Sequence, residues 1–381
     1  MTIKKTVAFV STMEGVPWGG SEELWSLTAE KFLAHGFFVA ANVKGFDCVR
    51  APLKRLRLKG CSITFRRHQP PAGIPTRLAR RFISRSLKDP FGVWLDKVRP
   101  DLAIISQGCN CDGAWWMLEC KKRSINYVTI AQSAASFYWP SDNIVAQCAE
   151  AYQGTMACFF VSNANRRLTE LQLGTDLPRA EIVRNPFNVS YDAELPWPPA
   201  EPRYRLACVG RLDPLAKGQD LLCEVMSLKK WRNRPLEIIF YGDGIRERGL
   251  RNLKQYLDLT NVTFAGFTDR SEEIWGQCHG LILASRMEGL PLALVEAMLC
   301  GRLSIATDIG GNAEVIEDNV SGFIAKAPSV ELIDEALERA WQRRDEWEAI
   351  GKVAAKKIRE LIPRDPVQIF FDKLLTYLDR N

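Results

Sequence analysis

Residues 285–301 read SRMEGLPLALVEAMLCG, and this almost wholly apolar run keeps two glutamates, Glu288 and Glu296. An ionised carboxylate in apolar surroundings is costly unless it meets hydrogen-bond donors. Vicinal ribose hydroxyls are such donors. Pro291 stands where the first turn of a helix belongs and Gly301 just past its end, the usual asymmetry of helix termini. Leu290, ahead of the proline, has no capping group, so the first backbone N–H groups are left for an anion. Glu296 then falls inside the helix, and Glu288, in the loop before it, faces a sugar. The plainer alternative puts Glu296 on the solvent side and lets Glu288 close a turn.

Two further loops point to the same chemistry. GRLDPLAKGQD (210–220) offers Arg211 as a fork and Lys217 as a point charge, both suited to a diphosphate. DIGGNAE (308–314) has a glycine pair that lets backbone approach a ligand closely. Each loop alone also reads as a surface ion pair or a plain turn. Each follows a strand-like run, and ligands of parallel α/β sheets bind outside the carboxyl ends of the strands.

The elements that must hold these loops are short apolar strands alternating with helices. VAFVS (7–11), FFVAANV (37–43), DLAII (101–105), NYVTIA (126–131) and ACFFVS (157–162) form a first set. RLACVG (205–210), LEIIFYG (236–242), NVTFAG (261–266), GLILAS (280–285) and RLSIAT (302–307) form a second. Continuous apolar strands with intervening helices mean parallel sheets covered on both faces. Between the sets, residues 185–203 contain five prolines and little periodicity, which reads as a linker. The expected parts are a first Rossmann-like domain (1–187), a hinge (188–203), a second domain (204–363) and a C-terminal amphipathic helix (364–381) that crosses back to the first.

GRLDPLAKGQDLL, SRMEGLPLALVEAMLCG and ATDIGGNAEVIEDNVSGFIA together resemble the donor-binding half of retaining glycosyltransferase family 4, over about residues 204–327. The resemblance implies the GT-B fold, an α/β arrangement of two Rossmann-like parallel-sheet domains facing each other across a cleft. It implies a nucleoside-diphosphate sugar donor, UDP- or GDP-linked, and transfer with retention of anomeric configuration. Glu296 would bind the ribose. Glu288 and the 289–292 segment, Gly289, Leu290, Pro291 and Leu292, would hold the sugar. Arg211 and Lys217 would hold the diphosphate and stabilise the leaving group, and backbone near Gly266 and Phe267 would face the base. In the first domain, Gly19 and Gly20 of PWGGSEELW match the family's glycine loop. Many members carry a His after a middle strand; the corresponding stretch here, YVTIAQSAASFYWPSD (127–142), has none, and Gln132 is nearest to its place. A glutamine can orient a hydroxyl but cannot act as a general base at neutral pH. No Asp-x-Asp motif or other metal-spaced carboxylate cluster occurs, so the expectation is a metal-independent enzyme with no required cofactor.

The net charge of +6 is uneven. Twelve Lys and Arg residues lie between 50 and 90 against a single acid, Asp89, which suits an anionic partner. On a helical wheel, residues 76–89 place Arg77, Arg80, Arg81, Arg85 and Lys88 opposite Leu78, Ala79, Phe82, Ile83 and Leu87. That pattern reads as a contact with an anionic membrane or as an ordinary helix with a solvated face. The acceptor is then a glycan or lipid-linked molecule; no nucleic-acid motif is present. Trp115, Trp116, Phe137, Tyr138 and Trp139 include sugar-stacking residues, with two or three of the five in the core. The eleven cysteines show no paired spacing, which argues for reduced thiols. The apolar run after Lys5 is too short for a signal peptide, and no segment is long enough to span a bilayer. The expected location is cytoplasmic, with peripheral attachment to the inner face of the membrane. Two rival readings remain: a degenerate GT-B protein that binds a nucleotide sugar or an anionic surface without transfer, and a GT-B epimerase.

Overall fold

The computed structural model describes residues 4–66 and 90–379. The basic stretch 76–89 therefore lies outside the described residues.

The first sheet contains β1 (Thr6–Ser11), β2 (Phe38–Lys44), β3 (Ser62–Arg66), β4 (Leu102–Gln107), β5 (Tyr127–Ala131), β6 (Cys158–Phe160) and β7 (Ala180–Ile182). Their order is β3-β2-β1-β4-β5-β6-β7, and every pairing is parallel. Val7 lies opposite Val39 on one side and Leu102 on the other. β4 and β5 are buried along their whole length, which explains their unbroken apolar sequence. The second sheet contains β8 (Tyr204–Val209), β9 (Leu236–Tyr241), β10 (Val262–Gly266), β11 (Gly280–Leu283), β12 (Leu303–Thr307) and β13 (Phe323–Ala325). Its order is β10-β9-β8-β11-β12-β13, again parallel throughout.

All ten expected strands are present, and β3, β7 and β13 join them. The last two are three residues long, and β3 is a partly exposed edge strand. β3 and β7 lack a buried apolar run, and β13, although buried, spans only Phe323–Ala325.

Residues 183–203 contain no helix or strand. They are nonetheless fastened to the second domain. The Tyr191 hydroxyl donates to the Arg359 carbonyl at 2.7 Å, and Phe187, Tyr191 and Leu195 pack on its core. The helix Pro366–Leu378 returns to the first domain, where Asp365 caps it through a bond from the Gln368 N–H. Its Phe371 meets Phe32 edge-on at 4.7 Å, and Phe370 meets Phe159 at 5.1 Å. Burying this aromatic face ties the end of the chain to the first sheet; each fully buried Phe contributes roughly 1.5–3 kcal/mol.

Candidate active site

Loops at the carboxyl ends of both sheets meet around one cavity of about 660 Å³. The loops after β1, β4 and β5 line it from the first domain, and those after β8, β10 and β11 from the second.

The central helix of the second wall is Leu292–Leu299, so Pro291 is its N-cap rather than the first residue of its first turn. No side chain caps this end, as Leu290 and Pro291 have none to offer. The helix ends at Cys300, and Gly301 follows with φ of 68°. Glu296 is only 3% exposed, so it does not face solvent. Its Oε1 accepts the Asn188 backbone N–H at 2.9 Å and the Asn188 side-chain amide at 3.2 Å. Burial pushes its pKa up, and these donors pull it back. Glu288 is also buried, and its Oε1 accepts from both Lys217 Nζ at 2.6 Å and Ser285 Oγ at 2.7 Å. It anchors a lysine rather than merely closing a turn.

The loops after β8 and β11 are laced together. Arg286 forks onto Asp220 at 2.7 and 2.8 Å, and its backbone N–H donates to the Ala216 carbonyl. Asp213 pairs with Arg246 at 2.6 Å, while Arg211 lines the cavity and forms no ion pair among the described residues. Phe267 stands 71% exposed at the rim. Gly266 ends β10 behind it, where its carbonyl accepts from the Gly242 N–H, and is not among the lining residues.

Glycines close the seam between the domains. A Cβ on Gly289 would lie 2.0 Å from the Gln132 carbonyl oxygen, so only glycine fits there. A Cβ on Gly20 would lie 2.9 Å from Leu292 Cδ1. The DIGGNAE glycines serve this same loop, because the Gly311 N–H donates to the Gly289 carbonyl at 2.6 Å. From that segment Glu314 reaches across to accept the Ala164 N–H at 2.8 Å, at the start of the helix Asn163–Leu173.

On the first wall Gly19, Gly20 and Gln132 line the cavity with Thr12, Asp112 and Trp116. The Gln132 Oε1 accepts from Asn185 Nδ2 at 2.7 Å. Beneath the glycine loop lies Glu22, whose carboxylate accepts the Trp25 indole N–H at 3.0 Å. Burial pushes its pKa up to about 7, against hydrogen bonds from Ser11, Trp25 and Ser21 and the charge of Arg66. The Arg66 guanidinium also lies 5.3 Å from the centre of the Trp116 ring.

Twelve of the thirteen expected residues thus surround one cavity, Gly266 being the exception. The aromatic expectation needs correction. Trp116 lines the cavity and packs, partly buried, against the core of the first domain, while Trp115, Phe137, Tyr138 and Trp139 are exposed. Gln172 holds the 135–138 turn by donating to the carbonyls of Ala135 and Tyr138, and the three successive aromatics project from it. Asn185, Asn188 and Ser285 were not found from sequence. Both asparagines lie in the proline-rich stretch, whose composition gives no hint of a polar contact. Among the described residues no helix is long and apolar enough to cross a membrane, and no group of three or more His, Cys, Asp or Glu is placed to hold a metal ion.

Residues 196–357, less than half of the chain, match the family model for glycosyl transferases group 1. The chain is 30% identical to a glycogen synthase of Pseudomonas syringae pv. syringae over 163 residues, 42% of this chain and 33% of that protein. It is 36% identical to the Vi polysaccharide biosynthesis protein VipC/TviE of Salmonella typhi over 104 residues, 27% of this chain and 18% of that one. The chain thus spans a third or less of the length of these two curated relatives. Anabaena HepE in complex with UDP-glucose superposes over 97% of this chain and 99% of its own, with a TM-score of 0.76 at 15% identity. The fold is GT-B: two parallel-sheet Rossmann-like domains of the kind found in glycosyltransferases.

Proposed function

We propose that this protein is a glycosyltransferase that moves a sugar from a nucleoside-diphosphate donor to a glycan or lipid-linked acceptor. The observation that carries this reading is the pair of buried carboxylates, Glu288 and Glu296, flanking an uncapped helix N-terminus, with Lys217 and Arg211 on the same wall. Glu296, held from behind by Asn188, accepts the ribose hydroxyls. Arg211, Lys217 and the free N–H groups at the start of the helix Leu292–Leu299 take the diphosphate. Glu288 keeps Lys217 in place and faces the transferred sugar.

In the reaction an acceptor oxygen bonds to the anomeric carbon while the bond from that carbon to the diphosphate breaks. The electron pair leaves with the phosphate oxygen, which also collects the acceptor proton. The developing negative charge falls beside Lys217 and Arg211, where fixed positive groups stabilise it most. Attack and departure on the same face retain the configuration and require no protein nucleophile. The described cations suffice for the diphosphate, so the reaction is taken to run without a metal.

UDP is the favoured donor nucleotide, since HepE was crystallised with UDP-glucose and Staphylococcus aureus TarM, a further GT-B neighbour, with UDP. The lipid-linked form of the acceptor draws on residues 76–89 and their basic pattern. The test is release of UDP or GDP from a panel of nucleotide sugars with simple glycoside acceptors in the presence of EDTA, with the product anomer read by NMR. Release with retention is expected. Loss of turnover in EDTA that Mg²⁺ restores would overturn the metal-free mechanism, and an inverted product would overturn retention.

A further inference from the structure

A carboxylate of the second domain fastens the two walls of the cavity together. Glu314 Oε1 accepts the Ala164 N–H of the first domain at 2.8 Å, and its Oε2 accepts the Asn163 side-chain amide at 3.4 Å. Both partners open the helix Asn163–Leu173. The Asn165 N–H of the same turn goes to Ser162 Oγ at 3.2 Å, so Glu314 meets a donor that the helix's own cap leaves over. A carboxylate suits this place, because a helix start carries partial positive charge. The Arg184 guanidinium, also of the first domain, lies 3.9 Å from Glu314 and is itself held by the Val161 carbonyl at 2.7 Å.

On its own side Glu314 is tied to the donor segment. It follows Gly310 and Gly311, which are wedged between the domains. A Cβ on Gly310 would lie 2.5 Å from the Gly289 carbonyl oxygen and 2.6 Å from that of Glu288. A Cβ on Gly311 would lie 2.8 Å from Ser162 Cβ. The Gly311 N–H donates to the Gly289 carbonyl, so this turn and the Glu288–Gly289 segment form one unit.

The far end of the helix Asn163–Leu173 holds the first wall. Asn110 Nδ2 donates to Thr169 Oγ1 at 3.0 Å and to Gln172 Oε1 at 2.7 Å, and all three side chains are buried. Asn110 stands between Cys109 and Asp112, which line the cavity. Gln172 Nε2 donates to the carbonyls of Ala135 and Tyr138. One helix thus runs from Glu314 to the loops after β4 and β5.

We infer that Glu314 is a positioning residue, which ties the donor segment to the helix carrying the first wall, so that a nucleotide bound on one wall orders the other. The inference rests on the donor reading above, in which Glu314 itself does not touch the nucleotide. A ligand that fixes residues 288–292 then steadies the Gly310–Glu314 turn, the helix and the two loops beyond it. A contiguous path demonstrates coupling only when one end is perturbed and the other responds.

The test is amide hydrogen exchange of the full chain and of Glu314→Ala, each with and without saturating UDP or GDP, with affinity measured by calorimetry. In the wild type the nucleotide that binds is expected to slow exchange across 108–112 and 135–139 by about five-fold or more, the lower end of coupling between sites. Glu314→Ala is expected to bind it within about two-fold, as for independent sites. It keeps the slowing across 288–299 and loses it across 108–112 and 135–139. Glu314→Leu replaces the alanine variant if that does not fold. Slowing of the two loops that persists in the variant, or is absent from a wild type with nucleotide bound, overturns this inference and leaves the donor reading standing. So does faster exchange throughout the first domain of the variant regardless of nucleotide, which marks a merely structural role. A wild type that binds neither nucleotide overturns both.

Discussion

The second wall of the cavity carries its chemistry as charge, and the first carries it as amides, hydroxyls and backbone. On the second wall Lys217 and Glu288 meet at 2.6 Å, and Glu296 is buried among apolar side chains with Asn188 as its donor. On the first, Gln132 and Asn185 bond to each other, while the charged pairs of Glu14 with Lys44 and Arg66 stand at the rim. The difference teaches how labour is divided. A diphosphate needs fixed positive groups whose own desolvation has been met in advance, and Glu288 does this for Lys217. A sugar needs donors and acceptors at set positions and no net charge.

The sharpest way to break the comparison is to remove the charge. Lys217→Ala leaves Glu288 buried without its cation and deprives the leaving group of a positive neighbour. Turnover is expected to fall roughly 10²–10³-fold, the usual scale for loss of one transition-state contact. The initial rate of nucleotide release measures this, and a change of less than about three-fold would mean that charge on this wall does not drive the reaction.

Glu22, buried beneath the first wall, is a charge that pH exposes. Glu22 has its pKa raised from 4.5 to about 7 by burial. A carboxyl whose folded value exceeds its unfolded one destabilises the fold when it ionises. Stability from this group is therefore complete below about pH 4.5, declines as pH rises towards 7 and stays lost above that. The shift corresponds to about 3 kcal/mol at most. Glu22→Gln removes the ionisation and keeps an acceptor for the Trp25 indole. Its melting temperature is expected to exceed that of the wild type at pH 8 and not at pH 4.5. Equal curves at both values would mean that Glu22 ionises freely in the fold.

How much of this was legible in the sequence also divides along the two walls. The ten strands with apolar sequence runs could be read directly, and β3, β7 and β13 could not, because they are short or partly exposed. Glu288 and Glu296 drew notice as charges in an apolar run, and both are indeed buried. Their partners were out of reach: Asn188 lies 108 residues from Glu296 and belongs to a stretch whose prolines suggested only a linker. Asn185 and Gln132 are ordinary polar residues in sequence and become a pair only when β5 and the segment after β7 come together. The five candidate aromatics misled in the other direction: the sequence reading puts two or three of them in the core, whereas Trp115, Phe137, Tyr138 and Trp139 are all exposed and Gln172 holds the 135–138 turn.

The most direct measurement of the central claim is calorimetric titration of UDP and GDP into the wild type and Glu296→Ala. One of the two nucleotides is expected to bind the wild type and to lose about 10–100-fold in affinity in the variant, the scale of hydrogen bonds to a buried charge. Equal affinity in both proteins would contradict the assignment of the ribose to Glu296, and failure of the wild type to bind either nucleotide would contradict the donor site itself.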